Sequence, residues 1–231
     1  MANNQFVVIG IGQFGEAIAR SLSEKGAEVM AIDKRQDKVD YIANDVAYAV
    51  ALDATDKKAL ISQNVQNFDA VVISIGEDFE ELLLCAVNLI ELDIKRIIVR
   101  AKGKINRKIL EKLGLKEIFS PEFEVGAVVA KRLLHPTMVN FLDLPDNYII
   151  TEIKAPKAVI GQTLEAIKLR ESYNINLVTI KKEVEERRGN EMVKRQHILG
   201  VPHRNTVIEE NDFIVIFGSN KDIEKFIEIN S

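Results

Sequence analysis

The first half of the chain alternates short apolar runs with longer segments in which apolar residues recur at helical spacing. The apolar runs are continuous, a pattern typical of strands buried on both faces of a parallel sheet. Strands that alternate with helices predict right-handed βαβ units, which stack into a doubly wound sheet. The predicted strands cover residues 6–9, 29–32, 47–50, 71–74, 97–99 and 117–119. The predicted helices between them cover residues 16–25, 37–44, 57–63, 79–92 and 105–113.

Two apolar helices are predicted after this sheet. Ser120 is a suitable N-cap, and Pro121 suits the first helical position. This helix is expected to end near His135, because Pro136 cannot continue it. The apolar faces of both helices need a cover, which is either the sheet or a neighbouring subunit. The second helix offers four apolar residues for burial, namely Val139, Phe141, Leu142 and Leu144.

The remainder of the chain predicts a smaller domain of mixed α+β type. A turn at 159–163 leads into a short helix over 164–169, and a closing helix is predicted over 221–229. The highly charged stretch 181–195 is interpreted as an exposed excursion. The predicted strands of this domain cover residues 149–153, 177–180 and 213–217.

The net charge, the cysteine count and the N-terminal residues argue against several classes of function. The net charge is −4 and the basic residues are scattered, whereas nucleic-acid binding needs a clustered basic surface, so we expect no nucleic-acid partner. The single cysteine, Cys85, lies in an apolar run and is expected to be a small buried residue, as fits a reducing cytosol. Met1–Gln5 lack the features of a signal peptide, and no apolar stretch approaches the ~20 residues that span a bilayer. A cytoplasmic protein is therefore expected.

One motif carries recognisable chemistry. Residues 10–15 read Gly-Ile-Gly-Gln-Phe-Gly, directly after a predicted strand and at the start of a predicted helix. Gly10 permits the tight turn, Gly12 lets the backbone approach a phosphate, and Gly15 lets the helix pack close to the sheet. The free N–H groups of the helix start then bind the anion. Asp33 ends the next strand, where a carboxylate accepts hydrogen bonds from ribose hydroxyls.

Further polar residues are expected at the same edge of the sheet. Asp33 would repel a ribose 2′-phosphate, although Lys34 and Arg35 follow directly and weaken that exclusion. The loops 53–55 and 74–78 follow two other strands, and ligands bind outside the carboxyl ends of such strands. Residues of the 53–55 loop are thus placed to meet a base or ribose, or they simply cap the next helix.

Catalytic signatures are missing from the sequence. None of the four tyrosines is followed by lysine at the Tyr-x-x-x-Lys spacing of short-chain dehydrogenases. The three histidines belong to no recognisable acid–base pair, and no Gly-Lys-Ser/Thr of a P-loop occurs. We therefore expect a sensor rather than an enzyme. The alternatives are an NAD(H)-dependent oxidoreductase and a nucleotide-sensing transcriptional regulator.

Several short motifs in order point to one family. They are Val-Ile-Gly-Ile-Gly-Gln-Phe-Gly at 8–15, Ala-Ile-Asp at 31–33, Asp-Ala-Thr at 53–55, Ser-Ile-Gly-Glu at 74–77, Val-Arg-Ala at 99–101, Ser-Pro-Glu at 120–122, Val-Ile-Gly-Gln-Thr-Leu at 159–164 and Glu-Asn-Asp-Phe-Ile-Val-Ile-Phe-Gly at 210–218. With them the chain resembles the cytosolic regulatory subunits of Ktr and Trk potassium transporters, which join an RCK nucleotide-binding domain to a TrkA-C-like domain.

The resemblance implies an architecture and an assembly. A Rossmann-like RCK domain is expected over 1–120, a helix-turn-helix exchanged with a neighbouring subunit over 121–144, and a TrkA-C-like α+β domain over 145–231. Such proteins form dimers that assemble into octameric rings on a membrane potassium-translocating subunit, at the inner face of the membrane. They are regulatory and not enzymatic.

The resemblance also implies ligands. ATP and ADP are expected in the first domain, with NAD(H) as a possible replacement, and cyclic di-AMP is bound by the second domain of several relatives. The expected nucleotide contacts are Gly10, Gly12, Gln13, Phe14, Gly15, Asp33, Lys34, Asp53, Ala54, Thr55, Ser74, Gly76, Glu77 and Arg100.

The chain departs from the family pattern in the first domain. Many members carry Arg at the position of Gln13, where it reaches the terminal phosphate, so ATP-over-ADP discrimination is in doubt. Leu52 stands where relatives often have Gly. Glu122 matches an acidic position that in some relatives approaches a divalent cation, and a first-turn Glu is also favourable with the helix dipole. In the second domain, 196–204 lies near the expected cyclic-dinucleotide cleft and equally fits an ordinary loop.

Overall fold

The computed structural model describes residues 4–134, 138–188 and 191–231. The chain divides into two compact units, Met1–Gly126 and Ala127–Ser231. Within the described residues, none of the helices combines the length and the apolar character that crossing a bilayer would require.

The first unit is a six-stranded parallel sheet with the order β3-β2-β1-β4-β5-β6. Its strands are β1 (Gln5–Ile9), β2 (Glu28–Asp33), β3 (Tyr48–Ala51), β4 (Ala70–Ile73), β5 (Ile97–Arg100) and β6 (Glu117–Phe119). Its helices are α1 (Gln13–Glu24), α2 (Gln36–Ile42), α3 (Lys57–Ser62), α4 (Phe79–Glu91) and α5 (Gly103–Lys112). The predicted Rossmann-like, doubly wound sheet is confirmed. The strand order reverses between β1 and β4, which places the switch point of the fold there.

The apolar runs supply two core layers, one on each face of the sheet. Val7 and Ile9 of β1 belong to one layer, and Val8 belongs to the other. The expectation of burial on both faces is wrong for β3, where Tyr48 is 50% exposed. This strand pairs with β2 and forms one edge of the sheet.

Helix α6 spans Pro121–Leu134 and has no buried residue. It begins at Pro121, the predicted first helical position, and the amides of Phe123 and Glu124 donate to the Ser120 backbone carbonyl at 3.0 Å. Its predicted end at His135 lies outside the described residues.

The second helix predicted after α6 is wrong, because the chain forms strand β7 (Met138–Asp143). This strand pairs antiparallel with β8 (Tyr148–Lys154). The connecting turn contains Asp146 and Asn147 at φ of 60° and 61°. Asn and Asp tolerate that conformation and mark hairpin turns.

The second unit holds a five-stranded antiparallel sheet with the order β10-β9-β11-β8-β7. The charged stretch 181–195 is not an excursion, because it extends a long hairpin of β9 (Asn176–Arg188) and β10 (Glu191–Ile198). Strand β11 (Phe213–Ser219) lies between β8 and β9. The helices are α7 (Leu164–Ile167), α8 (Leu169–Tyr173) and α9 (Asn220–Asn230). The predicted α+β character of this domain is therefore confirmed.

Candidate functional site

A cleft of about 880 Å³ lies at the carboxyl ends of β1, β2, β4 and β5. This is the edge where open α/β sheets bind ligands. Most of the predicted contact residues line this cleft, namely Gly10, Gly12, Gln13, Asp33, Lys34, Ala54, Ser74, Gly76, Glu77 and Arg100.

The glycine loop is held from two sides. Gly10 adopts φ +90°, and its N–H donates to the Ile32 carbonyl at 2.7 Å. The Ser74 hydroxyl donates to the Gly10 carbonyl and, at 3.1 Å, to the Ile9 carbonyl. The loop therefore joins β1, β2 and the end of β4, and its shape is fixed by the sheet.

The other two glycines of the loop differ in what surrounds them. A Cβ built on Gly12 would meet no atom within 4 Å. One built on Gly15 would lie 2.0 Å from the Gly10 carbonyl oxygen and 2.3 Å from Ser74 Oγ. Gly12 thus faces open space in the cleft, whereas Gly15 allows α1 to pack against the loop and does not line the cleft.

Asp33 holds two backbone amides. Its Oδ2 accepts from the Ile11 amide at 2.6 Å, and its Oδ1 accepts from the Arg35 amide at 2.9 Å. Each carboxylate oxygen has a second lone pair, so the group can still accept from hydroxyls in the cleft. Asp33 therefore positions the glycine loop as well as lining the site.

The ribose side of the cleft carries charges of both signs. Lys34 donates to Glu81 at 2.6 Å, and this hydrogen bond raises the pKa of the lysine. Arg35 pairs with Asp37. Glu81 and Lys38 also line the cleft, although neither was predicted as a contact residue. Glu81 lies in the first turn of α4, directly after the 74–78 loop, and this position could have indicated it.

Arg100 lies at the opposite side, against the glycine loop and α1. A Cβ built on Gly76 would lie 2.7 Å from Arg100 Nη1, so the guanidinium packs directly over Gly76, and a larger residue there would displace the end of the Arg100 side chain. The Arg100 Cζ atom is 5.6 Å from the centroid of the Phe14 ring, which lies in the first turn of α1. Arg100 Nη2 donates to Glu122 Oε1. Phe14 therefore supports Arg100 and is not itself part of the lining.

Asp53 and Thr55 lie outside the lining and shape a turn. Asp53 Oδ1 accepts from the Thr55 amide at 2.9 Å and from its hydroxyl at 2.7 Å. These hydrogen bonds lower the pKa of Asp53. The N-cap of α3 is Asp56, which accepts from the Lys58 amide at 2.8 Å. Asp53 and Thr55 therefore do not cap this helix.

Glu122 pairs with Arg100. Its pKa is lowered by a backbone hydrogen bond at the start of α6 and then by the hydrogen bond from Arg100. Among the described residues, no three His, Cys, Asp or Glu side chains come together as a metal site. A cation at Glu122 therefore stays a prediction.

A second cleft, of about 720 Å³, lies in the second unit. It is lined by residues of α7 and α8, by the start of β9, and by Pro202 and Arg204. Arg170 Nε donates to Asn176 Oδ1 at 2.7 Å, which orients the guanidinium. Of the segment 196–204, which was expected near the cyclic-dinucleotide cleft, Pro202 and Arg204 line this cleft, whereas His197 and His203 lie outside the lining.

The fold and the glycine loop define a Rossmann-type domain of the nucleotide-binding class. Residues 6–121 match the TrkA-N domain and residues 149–231 match the TrkA-C domain. The chain belongs to this family of proteins with a TrkA-N and a TrkA-C domain, and it is homologous to Ktr system potassium uptake proteins.

The relatives match over nearly their full length. The Ktr system potassium uptake protein C of Bacillus subtilis (strain 168) is 34% identical over 96% of this chain and 95% of its own. Protein A of the same system and organism is 33% identical over 97% and 96%. Protein A of Vibrio alginolyticus is 28% identical over 94% and 93%.

Solved structures agree on the fold. The GsuK RCK domain is 22% identical with a TM-score of 0.52, over 99% of this chain and 46% of that one. The NAD(P)-binding domain of an exopolyphosphatase-related protein from Archaeoglobus fulgidus is 25% identical with a TM-score of 0.50, over 56% and 96%. The first likeness shows the fold alone.

Proposed function

We propose that this chain is a cytoplasmic, non-enzymatic subunit that senses nucleotides and regulates a membrane potassium uptake system. The observation that carries the proposal is the match, over nearly all of both chains, to the two Bacillus Ktr system potassium uptake proteins. The cleft of the first domain supports it, because its volume falls in the range of about 300–1,000 Å³ typical of small-molecule sites.

The ligand of this cleft is an adenine nucleotide, ATP or ADP, with NAD(H) as the second candidate. The N–H groups at the start of α1 and the cations Arg100 and Lys102 attract phosphates. Asp33 is placed for ribose hydroxyls. Gln13 lines the cleft as a neutral amide, so discrimination of a γ-phosphate rests on other residues.

Regulation then follows from differential affinity. A nucleotide shifts the subunit between two shapes only to the extent that it binds one of them more tightly. Residues 121–144, now a helix and a strand, are the segment exchanged with a neighbour in a dimer that assembles into an octameric ring. The support is the exposed apolar surface of α6, where Phe123, Leu133 and Leu134 are 55%, 75% and 76% exposed.

The second cleft is proposed to bind cyclic di-AMP. Its lining includes the cations Lys168, Arg170 and Arg204, which suit a ligand with two phosphates. Leu164 and Pro202 supply apolar surface for the bases.

A thermal-shift panel tests both sites. A ligand that binds only the native state raises the midpoint according to its affinity. We expect ATP, ADP or NADH to stabilise the full chain, and Asp33→Ala to remove that response while keeping the response to cyclic di-AMP. Arg170→Gln should show the reverse, so each variant is the control for the other. A chain that none of these ligands stabilises would contradict the proposal, and turnover of a substrate with NADH would favour an oxidoreductase.

Rubidium uptake tests the partner. The chain would be co-expressed with a Ktr-type membrane subunit in cells that lack potassium uptake. We expect uptake to depend on the chain and to fall with Gly12→Ala. Equal uptake with and without the chain would overturn the regulatory role.

The assembly is tested by light scattering during size-exclusion chromatography. We expect the wild-type chain to run as a ring of dimers. Leu133→Asp places a charge on the exposed face of α6 and should reduce the assembled mass, whereas Ile229→Asp, at another exposed apolar site on α9, should not. A monomeric wild-type chain would contradict the proposed ring.

A further inference from the structure

Arg100 occupies the end of the cleft where phosphates would lie. It ends β5, and its guanidinium lies across Gly76 and next to the Phe14 ring in the first turn of α1. The N-cap of that helix, Gly12, lines the same cleft. A helix start and a guanidinium on one wall form a pair of anion-attracting groups.

The donors of Arg100 are incompletely used. The guanidinium carries five N–H donors in a fixed plane. One Nη2 donor goes to Glu122, while Nε is buried and has no hydrogen-bond partner within the described parts of the chain. A buried donor of a charged group that makes no hydrogen bond is costly, and a phosphate oxygen is the acceptor that Arg binds best.

Glu122 is the group that a phosphate would displace. Its side chain is 51% exposed, against 21% for Arg100, so water can solvate the carboxylate once Arg100 leaves it. The pair joins two elements: Arg100 is in register with Phe119 across β5 and β6, and Glu122 follows in the first turn of α6. Loss of the pair would therefore remove one side-chain link between the start of α6 and the wall of the cleft.

We propose that a phosphate of the bound nucleotide competes with Glu122 for Arg100, so that Arg100 reports the state of the cleft to the first turn of α6. This rests on the proposed nucleotide site and names the residues through which it would act. A nucleoside without a phosphate would bind and leave the Arg100–Glu122 pair intact.

A double-mutant cycle tests the competition. Affinities for ATP, ADP and adenosine would be measured by calorimetry on the full chain, with EDTA present so that no cation bridges the groups. We expect Glu122→Gln to tighten ATP and ADP about three- to tenfold and to leave adenosine unchanged. Arg100→Gln should weaken ATP and ADP by about tenfold or more.

The cycle separates competition from simple repulsion. In the Arg100→Gln background, Glu122→Gln should no longer tighten ATP, because there is no guanidinium to release. The matched control is Glu117→Gln, which removes the partner of Arg96 at the other end of the same two strands and should change neither affinity. If Glu122→Gln raises the affinity for ATP equally in the wild-type and Arg100→Gln backgrounds, Glu122 acts only by repelling the phosphates, and the proposal is overturned. Unchanged or weaker ATP binding in Glu122→Gln would overturn it as well.

Hydrogen–deuterium exchange gives a second measurement. We expect ATP to speed the exchange of amides over 122–126 in the wild-type chain, whereas adenosine should not change it. In the Glu122→Gln variant, the same amides should exchange fast even without a ligand. Slower or unchanged exchange with ATP would contradict the coupling to α6. If the wild-type chain binds no nucleotide at all, the proposed function itself fails, whereas normal binding with an unaltered Glu122→Gln variant removes only the competition.

Discussion

Asp33 Oδ2 lies 2.6 Å from the Ile11 amide, so the carboxylate that ends β2 holds the glycine loop that follows β1. The other oxygen accepts from the Arg35 amide. One side chain thus shapes the loop and faces the cleft, and substitutions at Asp33 are expected to change stability as well as ligand affinity.

We predict that Asp33→Ala weakens adenine-nucleotide binding by about tenfold or more and destabilises the free protein by about 1–3 kcal/mol, because the part-buried amide of Ile11 loses its acceptor. Asp33→Asn keeps one carbonyl acceptor and should cost less stability. Calorimetry and urea unfolding would measure the two effects. An Asp33→Ala variant with wild-type affinity would remove Asp33 from the binding site.

We predict that alanine has opposite effects at two glycines of the loop. Gly12→Ala should leave the free energy of unfolding within about 0.5 kcal/mol, because its backbone is at φ −84° and the new methyl meets no atom. The same methyl projects into the cleft and should abolish stabilisation by ATP or NADH. Gly15→Ala should destabilise the free protein by about 3 kcal/mol or more, because the methyl would collide with the Gly10 carbonyl.

Thermal unfolding with and without nucleotide distinguishes the two variants. Gly12→Ala should show a normal midpoint that no nucleotide raises, and Gly15→Ala should show a low midpoint. If Gly12→Ala responds to nucleotides as the wild type does, the open face of the loop is not where phosphates bind.

Cys85 is buried in α4, and burial raises the pKa of its thiol to about 12. We predict no alkylation of the native chain by iodoacetamide at pH 8, with rapid alkylation in urea. In the unfolded chain a cysteine ionises near pH ~8.5, so the stabilising contribution is full below that pH and is lost as the pH rises towards 12. Urea unfolding should show that the free energy of unfolding of the wild type falls by about 1.5 kcal/mol relative to that of Cys85→Ala between pH 8.5 and 10. A constant difference would show that the thiol ionises alike in both states.

The strand–loop–helix order of the first domain could be predicted from the sequence because several independent sequence features indicate the same arrangement. The run before Gly10 is apolar without interruption, three glycines follow at fixed spacing, and Asp33 ends the next such run. Each signal has its own physical cause, and all of them place the site at the same edge. The roles assigned to Gly12 and Gly15 match the open and the crowded surroundings of these residues.

The sequence misled where its periodicity is short or absent. Strand β7 has six residues, too few for the spacing of apolar residues to distinguish a helix from a strand. The turn residues Asp146 and Asn147, which follow it, indicated a hairpin more reliably. In the hairpin of β9 and β10, charged residues come in runs, at 181–183 and 185–188, so it shows no regular alternation of apolar and polar residues. Side-chain pairs such as Arg100–Glu122 depend on where separate loops meet, which no local pattern encodes.

The charge pair on the ribose side leads to a prediction about cofactor choice. Glu81 accepts from Lys34 at 2.6 Å and so engages a cation that directly follows Asp33. A ribose 2′-phosphate would compete for Lys34 and would meet the negative charges of Asp33 and Glu81. We predict that Glu81→Gln releases Lys34 and tightens NADPH relative to NADH by about threefold or more. The matched control is Glu91→Gln, at the far end of α4, where the carboxylate pairs with Lys57 outside the cleft. Fluorescence titration of the two dinucleotides measures the ratio, and an unchanged ratio in Glu81→Gln would show that Asp33 alone rejects the 2′-phosphate.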